Sequence, residues 1–305
     1  MSETAQATPL IRTPPQVSKN WGYRLSGLFP HIILSGYSIL ALFPLVLILF
    51  NSFKDRKELF RSPYVPPLWF SFVGGFHITN TLSTKGYDQV FARANVINYF
   101  GNSLIVTGGS LFLLLLTGAM ASYALSEYEF RWNRTLGLYM ALGIMIPIRL
   151  GTVSLIRMTN LIGIYNSLGA LILVYTAAGL PIAVFVMTEF MRSIPRELKD
   201  AARVDGASEF RILFTLVIPL IRPALATVLV FNMIPIWNDL WFPLTLAPGE
   251  AVRTVTSGLS TFAGQYKTDW TALLAALTLA MIPMLVLYIV FSRQFIQGLT
   301  RGALK

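Results

Sequence analysis

The sequence predicts an all-α protein that crosses a membrane several times. Three observations carry this. Hydrophobic residues make up 54% of the chain and charged residues only 12%, against about 25% charged in an ordinary soluble domain. Mean hydropathy is +0.62. The charges are clustered, and the apolar runs between them approach the roughly 20 residues that a helix needs to span a bilayer. The 305 residues therefore read as one polytopic membrane domain of about six transmembrane helices, not as two soluble domains.

The elements follow in chain order. Residues 1–27 begin MSETAQATPLIRTPPQVSKN, polar and proline-bearing, with no apolar core of a signal peptide. They read as a cytoplasmic tail and not as a cleaved leader. The membrane domain is expected over 28–293. Its first span, 28–50, stays as an anchor; Pro30 and Pro44 inside it are tolerable where neighbouring helices satisfy the freed carbonyls. A loop over 51–98 is rich in turn residues, aromatics and charge. The second span is 100–124, closed by a charged turn with Glu127, Glu129, Arg131 and Arg134. The third, 136–156, is interrupted by Pro147 and Arg149. The fourth is 168–187, the fifth 216–237 and the sixth 273–291. A short basic tail, 294–305, ends the chain. No repeat of solenoid length is visible.

Composition also excludes function classes. There is no cysteine, so neither a disulfide frame nor a thiolate metal site is available. The two histidines, His31 and His77, do not make a metal centre. The net charge of +10 is no nucleic-acid signal, because Lys and Arg sit near span ends where they anchor to lipid headgroups. An even number of spans puts both termini on one side of the membrane. The distribution of Lys and Arg narrowly favours the cytoplasmic side, against the evidence of Lys54, Arg56, Lys57 and Arg61, which Asp55 and Glu58 partly offset.

One stretch is out of character. ELKDAARVDGASEFRILFTLVIP, residues 197–219, carries about seven charges between two apolar spans. Ser193 is placed to cap a helix with Pro195 in its first turn. Leu198, Ala201, Ala202 and Asp205 follow at helical spacing, Gly206 suits a left-handed stop, and Ser208 suits the start of a second helix bearing Phe210, Leu213 and Leu216 or Val217 on one face. Ile218 and Pro219 mark the return to the membrane. The pattern describes helix, bend, helix. It fits a compact knob that grips another protein, and it fits an amphipathic loop lying on headgroups.

Asp200-Ala201-Ala202, Gly206, and then Leu216, Ile218 and Pro219 resemble the EAA motif of bacterial ATP-binding-cassette importer permeases. That motif runs Glu-Ala-Ala, three residues, Gly, nine residues, Ile-x-Leu-Pro, and the spacing here fits at each step. Asp200 stands for Glu, Leu216 for Ile and Ile218 for Leu, each conservative in charge or volume. The resemblance extends along the chain after residue 28, through Ser52-Phe53-Lys54, Asn102-Ser103-Leu104, Tyr123-Ala124-Leu125, Ile194-Pro195-Arg196-Glu197-Leu198, Trp237-Asn238 and the terminal Gly298-Leu299-Thr300-Arg301-Gly302-Ala303-Leu304-Lys305. Together these are similar to the smaller permease of carbohydrate importers, the maltose-transporter family.

The resemblance implies a type I importer permease fold in the bacterial cytoplasmic (inner) membrane, with both termini cytoplasmic. It implies four partners: a second homologous permease, two ATP-binding subunits beneath, and a substrate-binding protein outside. The loop 193–215 becomes a coupling helix, with Glu197, Asp200, Ala201, Ala202, Asp205, Gly206, Ser208, Ile218 and Pro219 as its coupling residues. The tail from Gly298 to Lys305 is implied to reach towards the ATPases. ATP and Mg are expected on the partner subunits, and the sequence itself contains no Gly-x4-Gly-Lys-Ser/Thr phosphate loop. The chain is thus expected to be a transport subunit and not an enzyme.

Other polar residues carry two readings each. Arg149 and Arg157 fall on roughly one face of the third span; they either snorkel to headgroups or form a basic wall for an acidic or hydroxyl-rich ligand. Asn232, Trp237, Asn238 and Asp239, towards the end of the fifth span, either line a sugar path or hold helices together. An ion-coupled secondary transporter is the alternative, but no Asp or Glu lies in the middle of an expected span to act as a relay. A non-transporting assembly subunit would not need the knob. The sequence leaves open which sugar or derivative is carried.

Overall fold

The structure, a computed structural model, describes residues 21–71, 77–80, 82–263 and 268–302. Most of the expected N-terminal tail and the last residues of the C-terminal tail, 303–305, lie outside that set. The chain divides into two compact units, the first ending at Leu47 and the second starting at Ile48. Helix α1 (Trp21–Ser52) passes through the boundary. Its part in the first unit exposes Phe29, Ile33, Leu40 and Phe43. Such an all-round apolar surface is stable in lipid, where no hydrophobic penalty attaches to it.

In the second unit the loop that follows α1 is ordered. It holds α2 (Arg56–Arg61), an antiparallel ribbon of β1 (Leu68–Ser71) and β2 (His77–Asn80), and α3 (Lys85–Arg93). This ribbon departs from the all-α expectation, as does an isolated antiparallel bridge between Ala263 and Thr268. Lys54 is wholly buried, its Nζ donating to Asn51 Oδ1 at 2.9 Å and to the Ser62 carbonyl at 2.7 Å. Asp55 accepts from Ser83 Oγ at 2.6 Å and pairs with Lys85 at 2.9 Å. These contacts fold the loop back on itself.

The centre of the unit is the pair α4 (Val96–Glu127) and α7 (Leu168–Arg192). Both are long and apolar enough to cross a membrane, as is the stretch Phe29–Ser52 of α1. With no hydrophobic drive between helices in lipid, close approach and interhelical hydrogen bonds must hold them. The seam shows both. A Cβ on Gly118 would sit 2.7 Å from Met187 Cε, and one on Gly109 would sit 3.0 Å from Ile172 Cδ1. Ser122 Oγ donates to the Val184 carbonyl at 3.2 Å across the seam.

Two other predicted spans are broken. The third consists of α5 (Asn133–Met145), a 3-10 turn over Ile148–Gly151 and α6 (Thr152–Leu161), bent by 88°. Pro147, which cannot continue the helix ladder, sits at the break. Arg149 and Arg157 both lie beyond the break, the first in the 3-10 turn and the second on α6.

After α7 comes α8 (Arg196–Val204). Then α9 (Glu209–Arg211), a π-helical segment Ile212–Val217 and α10 (Ile218–Leu220) run into α11 (Arg222–Asn238) through a bend of 79°. Pro219 and Pro223 flank that bend. The ring of Pro223 conflicts with the carbonyl four residues back, so a straight helix cannot pass. Short helices α12 (Trp241–Leu246) and α13 (Val255–Leu259) precede α14 (Trp270–Gly302), whose apolar stretch is Trp270–Val286. Residues 294–302, expected in a separate tail, continue this helix.

The core falls into three clusters. One gathers Met187, Met191, Ile212, Ile221 and Val228 near the charged loop. A second joins α3, α13 and α14 around Tyr99 and Trp237. The third lies between α4, α7 and α12 around Tyr175 and Phe242. Helix α3 meets α14 so closely that a Cβ on Gly86 would lie 2.6 Å from the Thr271 carbonyl oxygen, a backbone atom that has no rotamer to move to. We predict that Gly86→Ala destabilises the protein by about 1–3 kcal/mol. Gly101→Ala meets open space, and should be neutral or raise stability by about 0.5–1 kcal/mol. Melting temperatures of the detergent-solubilised variants check both.

Candidate functional site

The charged loop forms a protrusion with a defined frame. Its first helix starts two positions later than the sequence suggests. Pro195 is the N-cap of α8, whereas Ser193 closes α7 and donates to the Phe190 carbonyl at 2.7 Å. Asp205 caps the end of α8, and Gly206 takes φ +79°, a left-handed conformation that costs a side-chain-bearing residue energy. Ser208 then caps α9, its Oγ accepting from the Arg211 N–H at 3.4 Å.

What holds the protrusion is a set of ion pairs. Glu127, the last residue of α4, is buried, as is its partner Lys199 on α8; the two are in direct contact. Arg203 also reaches Glu127, at 2.7 Å, and continues to Glu209 at 2.8 Å and to Asp200 at 2.7 Å. Tyr123 OH donates to Glu209 Oε2 at 2.6 Å. The neighbouring carboxylates, Glu209 first and then Glu127, hold the Arg203 guanidinium charged more firmly than usual. Thus α4, α8 and α9 are stitched through two cations and two carboxylates at their centre. Ala202, Leu213 and Val217 fill the apolar space below.

The side facing away from the brace is exposed. It shows Leu198 at 48% and Val204 at 89%, with Glu197, Asp200, Ala201 and Asp205 around them. Ile218 and Pro219 are half-buried at the root. The sequence reading did not single out Glu127, Lys199, Arg203, Glu209 or Tyr123 in this role. The only available signal was an acidic residue ending one span and basic residues opening the next polar helix.

A second constellation lies between α7, α11 and the broken third span. A cavity of about 240 Å³ is lined by Arg149, Tyr175, Asn232, Asp239 and Phe242 among others. Asp239 is nearly buried. It accepts from Arg149 at 3.1 Å, from Tyr175 OH at 2.8 Å and from the Phe242 N–H at 3.0 Å. Its carboxylate is thereby committed, while the Arg149 side chain remains 65% exposed. Asn232 spends its Nδ2 on the Val228 carbonyl at 2.8 Å. Of the candidates for a ligand path, Arg149, Asn232 and Asp239 come together here. Trp237 does not: it is buried against Phe100 in an edge-on ring contact at 6.4 Å. Arg157 and Asn238 are exposed and do not line the cavity.

Among the described residues no group of His, Asp and Glu has the make-up of a metal site. The Glu127–Lys199 pair gives a test of the frame. Removing one member of a buried pair typically costs 3–5 kcal/mol, because the other charge is stranded. We predict that Glu127→Gln and Lys199→Gln each destabilise by about that amount. The double variant should cost clearly less than their sum, a non-additivity measurable in a thermal-unfolding double-mutant cycle.

Comparison with known proteins places this architecture. The diacetylchitobiose uptake system permease protein NgcG of Streptomyces coelicolor is 31% identical over 277 residues, covering 90% of this chain and 88% of the relative. The melibiose/raffinose/stachyose import permease protein MelC of Bacillus subtilis is 36% identical over 225 residues, covering 73% and 82%. A bacterial ABC transporter that imports the acidic polysaccharide alginate has a chain that superposes with a TM-score of 0.74 at 20% identity, over 92% of this chain and 99% of that one. Residues 21–301 match the family model of the binding-protein-dependent transport system inner membrane component. The chain belongs to that family: it is a multi-pass membrane permease of an ABC importer.

Proposed function

We propose that this permease works beside a second, homologous permease, above two ATP-binding subunits that carry the ATP and Mg, and takes a sugar or sugar derivative from a substrate-binding protein outside. The membrane domain is 28–293, and both chain ends face the cytoplasm. Residues 193–215 form the coupling element, seated in a cleft of one ATPase subunit. The observation that carries this is the brace on Glu127. A protrusion fixed by buried ion pairs to the end of α4, and continuous through α9 and α10 with α11, transmits displacement to two spans at once.

Within it the roles divide. Ala201 lets the partner surface come close, and Leu198 and Val204 offer it apolar contact. Glu197, Asp200 and Asp205 supply charge at the rim, and Asp200 also steadies Arg203. Ala202 packs inward. Gly206 and Ser208 set the corner between the two helices. Ile218 and Pro219 set the elbow into the membrane.

A carbohydrate substrate fits the relatives, whose names specify diacetylchitobiose in one case and melibiose, raffinose and stachyose in the other. In this chain Arg149, half-free beside the committed Asp239, is the group placed to meet hydroxyls or an acidic substituent in the path. Family membership disfavours the ion-coupled alternative.

A Cβ at Gly206 would meet nothing within 4 Å. The cost of a side chain there is therefore backbone strain alone. We predict that Gly206→Val abolishes uptake while membrane level and ATP hydrolysis by the assembled complex persist, and that Gly206→Asn, tolerant of this conformation, retains transport. Wild-type uptake by Gly206→Val would overturn the coupling assignment. For Arg149→Ala we expect a larger loss with an anionic saccharide than with a neutral one; equal losses in a paired uptake assay would remove charge recognition.

A further inference from the structure

At the foot of α4 a cavity of about 640 Å³ opens between the turn 128–132 and the corner joining α7 to α8. Its wall carries Arg131, Arg134, Arg192 and Arg196 against one carboxylate, Glu129. Lys199 also lines it but is spent on Glu127, and Arg192 is shared with Glu189 at 3.1 Å. Arg131, Arg134 and Arg196 have no carboxylate partner among the described residues. The turn is rigid, because Asn133 Nδ2 donates to the carbonyls of Leu125 at 3.1 Å and Tyr128 at 2.6 Å. Arg131 stands over the ring of Trp132 at 5.8 Å, and that ring is 60% exposed. Exposed Trp with Arg at the end of a span marks headgroup level.

This basic cavity shares Leu125, Asn133, Arg134 and Arg192 with a second one of about 260 Å³ that runs between α5 and α7. The second is mainly apolar, walled by Gly137, Met140, Ala141 and Phe185. Asn133, Arg134, Glu189 and Arg192 also line it, and one further polar atom there is left unmatched. Thr188 Oγ1 is buried and has no hydrogen-bond partner among the described residues. A helical threonine normally donates to the carbonyl four residues back. Here that carbonyl, of Val184, already accepts from Ser122. A buried hydroxyl left open is expensive, and calls for an acceptor from outside the chain.

We propose that these joined cavities hold one anionic phospholipid, of the phosphatidylglycerol class. Its phosphate lies among Arg131, Arg134 and Arg196, one acyl chain fills the α5–α7 groove, and an ester oxygen accepts from Thr188. A free anion has no use for the groove and a neutral amphiphile none for the arginines; the combination matches a charged lipid at the cytoplasmic leaflet. The site rests on the reading above that the charged loop faces the cytoplasm. A lipid there clips α5 to the corner that carries α8.

The test is native mass spectrometry of the assembled importer, purified after reconstitution in mixed phosphatidylglycerol and phosphatidylcholine. The wild type should retain one more phosphatidylglycerol than Arg134→Gln/Arg196→Gln, with retention about thirtyfold weaker in that variant, as two charges at about 1 kcal/mol each imply. Ala141→Trp, which fills the groove and spares the arginines, should lose the same lipid. Arg56→Gln/Lys57→Gln, at a different charged cavity, should not. Equal phosphatidylglycerol counts in wild type and both site variants overturn the proposal. So does equal retention of phosphatidylcholine, or displacement of the lipid by inorganic phosphate, which would make the site a plain anion pocket. The readout needs no transport: an assembly that imports no sugar but keeps the lipid fails the importer reading and not this one.

Discussion

Charge next to a membrane is stable only where it is paired or wet, and the Glu127 carboxylate is the place where this chain uses that constraint. Buried at the last turn of α4, it requires cations, and it finds Lys199 and Arg203 on the helix that leaves α7. A buried pair adds little net stability over an apolar contact of the same shape, but separating its members is costly. The pair thus fixes geometry more than it adds stability. It determines where α8 sits, and with Glu209 it determines where α9 starts.

From that point the shape of the polar end follows from backbone chemistry. Gly206 turns the chain through a conformation closed to most residues, Ser208 restarts the helix, and the prolines near Ile221 turn it again into the membrane. Each device is local. Their combined effect is a protrusion whose two limbs are anchored on different spans, α7 and α11, while its centre is tied to α4.

Much of this was legible in the sequence. Apolar runs located the helices, and the polar interval 197–219 with Gly206 and Ser208 announced a bent pair. What was not legible depends on distance along the chain. Glu127 and Lys199 are 72 residues apart, and no local pattern links them. Pro147 and Pro219 were visible, yet proline inside a span is compatible with a mild kink or a sharp break. Only packing decides, and here it gave bends of 88° and 79°. Trp237 is a similar case: an aromatic next to amides reads as a sugar platform, whereas its ring is consumed by Phe100 and the α14 core. The ribbon β1–β2 had only a turn-rich, aromatic loop to suggest it.

The seam between α4 and α7 has a consequence for how such a molecule can rearrange. Glycines at 109 and 118, meeting Ile172 and Met187 without slack, and serine hydroxyls bonded across the gap leave no room for one helix to slide on the other. The two are clamped along this seam. The departures from straight helix lie instead at the proline corners on either side, in α5–α6 and α10–α11, bent by 88° and 79°.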